Sequence, residues 1–519
     1  MEEKQQVVKN FASVPDNTPI LVGAGQYTEH IDGDEPALNP PMELAARAAR
    51  NALQDTHSHL TASDIESIAA VRLFSDSVPT WACPFGKSDN PPEAVAQRIG
   101  ANPTGRIYSN AGGTQPLKLL AELCTDIARG EIGCALLTGA EAIASQRYAQ
   151  RNGLEPDWNE PCDLAMDSRE YSERFASRQE LGSGMYLPVH YYALIENLRA
   201  HQQGNNPDQH RAQMTRLFAP LSQVARDNPY AFWPVSRTVE ELREQSDGNY
   251  PICLPYSKLL IAQDAVNQAA AVLVTSAGLA RERGIDPQRW VFLRGYAEGF
   301  DHYLTQRVDP GKSQSMEDVF AAALDSAEAQ ANDMSLLDIY SCFPCAVEAA
   351  CDALAVPWDS GRALTVTGGL PYFGGPGSNY SLHAIAEMVW RLRNSEASGL
   401  VTANGGQLSK HAALVLAGNP TQGTLDLAEG GPTVLTDGAI PAVPYADSPK
   451  EGRVISYTVI YERKRDDLAV VLGETANGSR FLARSAAPAT VSACLEQPPI
   501  GRAVRLSETE GRFQFELAD

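Results

Sequence analysis

The chain has 519 residues, of which 43% are apolar and 20% are charged. Its 42 Lys and Arg residues stand against 64 Asp and Glu residues, so the formal net charge is −22. An acidic chain without a long basic run binds a phosphate backbone poorly, so we expect no nucleic acid partner.

The sequence contains no apolar run of the ~18 residues that a transmembrane helix needs. The first residues also lack the apolar core of a signal peptide, so we expect a cytoplasmic protein. Nine Cys residues are an odd number scattered along a long chain. This pattern indicates free thiols instead of a disulfide framework.

The N-terminal half alternates continuous apolar segments with segments of helical periodicity. Continuous apolar segments are typical of strands that are buried on both faces of a mostly parallel sheet. The pattern predicts strands at 19–25, 65–74, 105–110, 134–139 and 269–275. It predicts helices at 42–53, 92–99 and 116–129. The alternation is interrupted between 143 and 256, where we expect an inserted loop domain.

The second half repeats the order of the first. It predicts strands at 290–295, 336–340, 364–367, 400–402 and 412–416, with helices at 316–331, 346–354 and 378–393. The series strand, double Gly, helix and apolar strand at 105–138 returns at 364–402. We interpret it as an internal duplication with a spacing of about 260 residues, far longer than a solenoid repeat.

The composition changes after Gly418, where Pro, Gly, Thr and Asp dominate up to about Pro449. Short apolar segments with polar or Gly turns between them follow at 454–461, 468–472, 479–484 and 513–517. They predict a small β-barrel of the OB type. The predicted units are a first α/β half at 18–142 and 257–288, an inserted loop domain at 143–256, a second half at 289–418, and a linker with a β-rich C-terminal domain at 419–519.

Five segments carry a resemblance to a known family: 106–129, 256–276, 338–348, 368–388 and 400–418. Together with the duplication, they resemble the thiolase superfamily over about residues 18–418. Within it, the chain looks closest to the sterol-carrier-protein-type thiolase-like proteins with an additional C-terminal domain, often labelled acetyl-CoA acetyltransferases. The resemblance implies a duplicated α/β thiolase fold, five-layered (αβαβα), and a CoA thioester as the ligand.

The motifs that carry thiolase chemistry are incomplete. The family places a nucleophilic Cys at the N-terminus of the helix after the third strand, where the helix dipole lowers the thiol pKa. That turn has no Cys here, and Thr114 is the only hydroxyl at the helix start. Gly375 stands at the position of the His that activates the nucleophile in the family.

Two further motifs of the family are changed. The family's His-Asp-Cys-Phe reads Tyr340-Ser341-Cys342-Phe343 here. Its C-terminal Cys-x-Gly falls at 402–406, which contains Asn404 and no Cys, with His411 just beyond. Ordinary condensation through a Cys–His pair is therefore not expected from this chain.

The predicted site combines the groups that remain at these positions. We predict that Cys342 or His411 moves protons and that Tyr340 or Asn404 donates to an oxyanion. Backbone N–H groups of the two Gly pairs are predicted to contact the same oxygen. The predicted substrate-binding residues are Gly112, Gly113, Thr114, Gly374, Gly375, Ser378 and Asn379. We predict no metal and no cofactor, with coenzyme A present only as a part of the substrate.

Three functions are compatible with these residues. The first is a thiolase-like acyltransferase that acts on acyl-CoA without the usual Cys and His. The second is a retro-aldol lyase that cleaves a β-hydroxyacyl-CoA with Tyr340. The third is a non-catalytic protein that binds acyl-CoA or lipid, because loss of the nucleophile removes the covalent route. The expected partner is an acyl-CoA or related thioester, and the expected state is a monomer or homodimer.

Overall fold

The structure is a computed structural model that describes residues 11–33, 36–169, 176–183, 185–420, 427, 433–435, 440–462 and 466–518. The first half has the predicted alternation of strands and helices. Helix α2 shows how local sequence sets its ends: Asn90 accepts the N–H of Glu93, and Gly100 after the helix has a positive φ of 77°. The elements are β1 (Pro19–Thr28), α1 (Pro41–Asp55), β2 (Ser67–Ala70), α2 (Pro91–Ile99), β3 (Gly105–Tyr108), α3 (Gln115–Ala128) and β4 (Cys134–Ala142).

The segment predicted as an insertion is mainly helical, which agrees with its lack of strand periodicity. Its elements are α4 (Ile143–Asn152), β5 (Asp167–Ser168), α5 (Arg178–Gly182), α6 (Pro188–Gln202), α7 (Pro207–Asp227), α8 (Val239–Arg243), β6 (Pro251–Cys253) and β7 (Tyr256–Ser257). Strand β8 (Asn267–Ser276) then returns to the main sheet, and α9 (Ala277–Glu282) follows it.

The second half confirms most of the predicted order. Its elements are β9 (Val291–Phe300), α10 (Gln314–Ser326), β10 (Leu336–Asp338), α11 (Pro344–Ala353), α12 (Tyr380–Leu392), β11 (Ser398–Gly405) and β12 (Lys410–Ala417).

The strand predicted at 364–367 is not formed. It accepts one backbone hydrogen bond from the neighbouring β10 region, in which the N–H of Ile339 donates to the carbonyl oxygen of Leu364 (2.9 Å). The buried carboxylate of Asp338 instead accepts the N–H of Val366 (2.9 Å) and the hydroxyl of Thr365 (2.8 Å). A side chain therefore takes the place of a neighbouring strand, which a periodicity argument does not detect.

The C-terminal region forms the predicted small barrel. Strands β14, β15, β16, β18 and β17 follow one another around it, and the pairing of β17 with β14 closes it. The predicted linker at 419–449 falls largely on 421–426, 428–432 and 436–439, which lie outside the described residues. The elements are β13 (Thr433–Leu435), β14 (Glu451–Ile460), β15 (Leu468–Glu474), β16 (Arg480–Ser485), α13 (Pro488–Glu496), β17 (Ala503–Thr509) and β18 (Arg512–Leu517).

The α/β halves stack in five layers. Helices α1 and α2 form one outer layer, with α1 against the first-half strands, and α10 and α11 form the other, with α10 against β9 and β12. Helices α3 and α12 lie between the halves and contact strands of both. The two sheets meet where β1 pairs with β9, so their strands follow the order β10-β11-β12-β9-β1-β8-β4-β2-β3-β5. This arrangement confirms the predicted five-layered fold.

Two strands of the insertion connect it to the barrel. Strand β6 pairs with β14 through Cys253 and Ile460, and β7 extends the same sheet. Helix α6 also packs against β14, where the Asn197 amide donates to the carbonyl oxygen of Tyr457 (2.8 Å). The insertion therefore lies between the barrel and the thiolase-like halves. Within the described residues, no helix is long and apolar enough to cross a bilayer.

Candidate functional site

A cleft of about 680 Å³ opens where the turn before α3, the loop before α11, the turn before α12 and the end of β11 meet. The first two of these segments follow β3 and β10, and the carboxyl ends of strands are where open α/β sheets bind ligands. The insertion contributes the opposite wall, from Leu187 to Tyr192. Seven of the predicted site residues line the cleft together: Tyr340, Cys342, Asn404, Gly112, Gly113, Gly375 and Ser378.

Cys342 lies in the cleft as a neutral thiol. The Asn404 amide donates to the Cys342 sulfur (3.6 Å) and to the hydroxyl oxygen of Tyr192 (2.9 Å). Burial raises the pKa of Cys342 to about 12, although hydrogen bonds with Tyr192 and Asn404 act in the opposite direction. At neutral pH the group is therefore neither a thiolate nucleophile nor an effective base.

Tyr340 and Gly113 present two donors at the deep end of the cleft. An ideal Cβ on Gly113 would lie 2.7 Å from the Tyr340 hydroxyl oxygen and 2.5 Å from the Asn404 carbonyl oxygen, so only glycine fits here. Neither the Tyr340 hydroxyl nor the Gly113 N–H has a hydrogen-bond partner among the described residues. Burial raises the pKa of Tyr340, so its phenol remains protonated and acts as a donor.

Two of the other predicted glycine N–H groups already have partners within the protein. The N–H of Gly112 donates to the Ser378 hydroxyl oxygen (2.9 Å), and the N–H of Gly375 donates to the Gln263 carbonyl oxygen (2.8 Å). Gly374 does not line the cleft, and an ideal Cβ built on it would lie 2.3 Å from the side-chain oxygen of Gln268. Among the described residues, the N–H groups of Gly112 and Gly375 are thus engaged within the protein, and the Gly113 N–H has no such partner.

Besides Gly374, three predicted residues lie outside the cleft lining. Thr114 is buried at the start of α3, and Asn379 donates to the carbonyl oxygen of Gly139 (2.9 Å). His411 faces Ser313, whose hydroxyl donates to Asp301 (2.7 Å), and the His411 Nε2 is 2.9 Å from the Ser313 oxygen.

His411 cannot act as the predicted proton carrier from that position. Burial and, to a smaller extent, the charge of Arg307 lower its pKa to about 3. The ring is therefore neutral across the physiological range and bonded to groups outside the cleft. It stabilises the start of β12 through these contacts.

Aromatic residues that the sequence did not point to form much of the cleft. Tyr192 from α6 stacks on Phe343 (ring centroids 4.2 Å apart) and holds Asn404. Phe74 and Trp81 stack on each other (4.3 Å) and line the outer part. The aromatic pair at 191–192 within a helical segment was the only sequence signal for Tyr192.

A buried ion pair lies directly behind the wall that contains Cys342. The fully buried carboxylate of Glu196 accepts from His210 (2.7 Å), from the Tyr256 hydroxyl (2.6 Å) and from the N–H of Cys345 (2.7 Å). The Tyr256 ring lies beside Phe343, with centroids 5.4 Å apart. The pair therefore fixes the start of α11 and the loop that presents Cys342. In the described ranges, no group of three or more His, Cys, Asp or Glu side chains is arranged to hold a metal ion.

Comparison with known proteins supports this architecture along nearly the whole chain. A monomeric SCP2-thiolase-like protein type 1 from Mycobacterium smegmatis has 32% sequence identity and a TM-score of 0.81. The match covers 97% of this chain and 100% of that chain. The chain belongs to the SCP2-thiolase-like proteins of type 1.

The type 1 assignment includes the barrel. The profile of the thiolase-like protein type 1 additional C-terminal domain matches residues 432–511. No curated protein matches this type 1 chain.

More distant structures share the fold of the type 1 chain. An Ltp2–ChsH2(DUF35) aldolase has 17% identity and a TM-score of 0.54, covering 78% of this chain and 99% of that chain. Human mitochondrial 3-ketoacyl-CoA thiolase in complex with CoA has 16% identity and a TM-score of 0.52, covering 78% and 98%. At these identities the likeness concerns the fold and not the activity.

Proposed function

We propose that the cleft binds the acyl thioester of an acyl-CoA without forming a covalent acyl-enzyme. The observation that carries the proposal is the pair of unpartnered donors in the cleft lining, the Tyr340 hydroxyl and the N–H of Gly113, the residue against which that hydroxyl packs. A thioester carbonyl accepts hydrogen bonds and carries no charge, so it suits neutral donors in a buried site. The volume of about 680 Å³ lies in the range of small-molecule sites.

The same geometry gives no support to acyl transfer. Covalent transfer needs an activated nucleophile and a base within hydrogen-bond reach of it. Cys342, with its pKa raised to about 12 by burial, is not such a nucleophile. His411 is bonded to Ser313 outside the cleft and is not such a base. We therefore place ligand binding ahead of the acyltransferase hypothesis.

Calorimetric titration with butyryl-CoA and octanoyl-CoA tests the proposal. We expect saturable binding, no acyl adduct in the intact mass and no release of free CoA. Tyr340→Phe should weaken binding about fivefold, which corresponds to one hydrogen bond of about 1 kcal/mol. Tyr230→Phe is the matched control, because Tyr230 stacks on Trp390 away from the cleft lining. Absence of binding for both ligands, or an acyl group attached to Cys342, would contradict the proposal.

A retro-aldol lyase is the second candidate, and the position of Tyr340 favours it. Cleavage removes the proton of a β-hydroxyl, breaks the Cα–Cβ bond and leaves an enolate that is then protonated at Cα. Tyr340 and the Gly113 N–H are placed to stabilise such an enolate oxygen. Because the pKa of Tyr340 is raised by burial, the residue serves as the donor and not as the base.

Incubation with a β-hydroxyacyl-CoA separates the two candidates. Formation of an aldehyde or ketone together with a shortened acyl-CoA, lost in Tyr340→Phe, would establish the lyase. Saturable binding without cleavage would favour the non-catalytic binding protein. Cleavage that is unchanged in Tyr340→Phe would remove Tyr340 from the mechanism.

A further inference from the structure

The cleft itself offers few cations for the phosphate groups of CoA. Among the described residues that line it, the cations are Arg147 and Lys410. Arg147 already forms an ion pair with Asp264 (2.6 Å). With a formal charge of −22, the chain as a whole also repels a polyanion. If the thioester lies in the cleft, its phosphates need a positive site nearby.

A second groove lies between the insertion and the barrel. It has a volume of about 290 Å³ and lies between Ser183 of the insertion and Arg512 and Phe513 of the barrel. Leu187, which is 48% exposed, lines the rim of the cleft. Leu187 is four positions after Ser183 in the chain, so the two Cα atoms are at most about 14 Å apart. The pantetheine arm of CoA is long enough to cross that distance.

Two arginines lie on neighbouring strands beside this groove, and of the two Arg512 lines it, together with Asp447 and Glu508. Arg484 is on β16 and Arg512 begins β18, and the two strands pair through Arg484 and Gln514. Burial and the neighbouring Arg512 charge lower the pKa of Arg484, while Tyr186 and Glu510 act in the opposite direction.

Neither guanidinium has a partner that would explain this arrangement. Within the part of the chain that the structure describes, neither Arg484 nor Arg512 forms a salt bridge or a side-chain hydrogen bond. Two adjacent like charges that form no direct ion pair repel each other, and a bound anion relieves this repulsion. Arginine also pairs with phosphate through two parallel hydrogen bonds.

We propose that Arg484 and Arg512 bind the phosphate groups of the acyl-CoA whose thioester lies in the cleft. The additional C-terminal domain then supplies the nucleotide end of a binding site whose acyl end belongs to the thiolase-like halves. The arm between them passes Leu187 and Tyr186, which is 60% exposed. This inference rests on the proposed binding function and assigns the barrel a part in it.

Two ligands that differ only in the nucleotide test the inference. Octanoyl-CoA and octanoyl-pantetheine are titrated into the wild type and into the double variant Arg484→Gln, Arg512→Gln. We expect the wild type to bind octanoyl-CoA about tenfold more tightly, as charge-assisted bonds to phosphate imply. The double variant should bind both ligands equally, with its affinity for octanoyl-pantetheine unchanged. Higher salt should weaken only the binding of octanoyl-CoA to the wild type.

Control variants examine the sign and the position of the charge. Arg505→Gln removes an exposed arginine from β17 of the same barrel and should keep the tenfold preference. Glu508 also lines the groove, so Glu508→Gln should tighten octanoyl-CoA about twofold and leave octanoyl-pantetheine unchanged. The latter variant keeps both arginines and so tests the groove even if the double variant fails to fold.

The outcomes separate this inference from the proposed function. The phosphate site is refuted if the wild type binds octanoyl-pantetheine as tightly as octanoyl-CoA. It is also refuted if the double variant still prefers octanoyl-CoA. In both cases the wild type binds octanoyl-pantetheine, so the cleft proposal stands. If neither ligand binds the wild type, both are refuted. A preference that disappears with the two arginines and persists in Arg505→Gln supports the barrel site.

Discussion

Removing the buried charge of Glu196 should destabilise the protein strongly. The carboxylate is fully buried and accepts three hydrogen bonds, from His210, Tyr256 and the N–H of Cys345. Glu196→Gln keeps the shape but replaces one acceptor oxygen with an NH₂ group that faces donors. Breaking a buried pair by removing one partner costs about 3–5 kcal/mol, and we expect the free energy of unfolding to fall by that amount.

Urea denaturation followed by tryptophan fluorescence measures this loss. In the double variant Glu196→Gln, His210→Gln, the loss should be smaller than the sum of the single losses by about 1–3 kcal/mol, because the two residues contact each other. Asp227→Asn is the control, since Asp227 forms an exposed ion pair with Arg226, and its free energy of unfolding should stay close to that of the wild type.

The pH dependence gives a second test of the same pair. Burial opposes ionisation of Glu196, but its bonds with His210, Tyr256 and Cys345 outweigh burial and lower its pKa below 4.5. Burial likewise opposes protonation of His210, but Glu196 outweighs it and raises the pKa above 6.5. The contribution of Glu196 to the free energy of unfolding is lost as the pH falls through its lowered pKa. The contribution of His210 is lost as the pH rises through its raised pKa.

The stabilisation by the pair should therefore be largest between about pH 5 and pH 6.5. The difference in unfolding free energy between wild type and Glu196→Gln should shrink on both sides of that window. A difference that is below about 1 kcal/mol throughout, or that does not change with pH, would refute the assignment of a charged pair.

Three further predictions concern the cleft. Cys342 should react slowly with iodoacetamide at pH 8, because burial raises its pKa to about 12. The reaction rate, followed by peptide mass spectrometry, should rise about tenfold per pH unit up to pH 10. A rate that does not depend on pH would contradict this. Gly113→Ala should abolish octanoyl-CoA binding in calorimetry, because the new Cβ would lie 2.7 Å from the Tyr340 hydroxyl. The control Gly248→Ala should bind octanoyl-CoA normally, because the nearest atom to its new Cβ is 3.9 Å away. His411→Gln should lower the unfolding free energy by about 1–3 kcal/mol and leave octanoyl-CoA affinity unchanged, so lost binding in a folded variant would place His411 in the site.

Local patterns predicted the main sheet because its strands are buried on both faces. Strands β4 and β8 are buried along almost their full length, so their sequences are continuously apolar. The small barrel was also predictable, except that α13 and β17 were missed between its third and last predicted strands. The pairing of β6 with β14 could not be predicted, because it joins Cys253 to Ile460 across the whole second half.

The candidate site was predictable where it lies on loops after strands. Tyr340, Cys342 and Asn404 line the cleft together because β10 and β11 are adjacent parallel strands that end at the same edge. Tyr192 and Glu196 were missed for a physical reason. Helix α6 is buried on nearly every side from Val189 to Ala200, so no polar or apolar face distinguishes a functional residue from a core residue.

The cleft lining and the ion pair behind it differ in charge. The groups at the deep end of the cleft are neutral: a protonated thiol at Cys342, a protonated phenol at Tyr340 and an amide at Asn404. The ionised pair of Glu196 and His210 lies one layer behind, where it stabilises the wall and cannot reach a ligand. A thiol returned to the turn before α3 would still lack a base, because Gly375 has no side chain and its N–H is bonded to the backbone. Nucleophilic chemistry would thus require at least two simultaneous changes, whereas binding requires only the donors that are already in place.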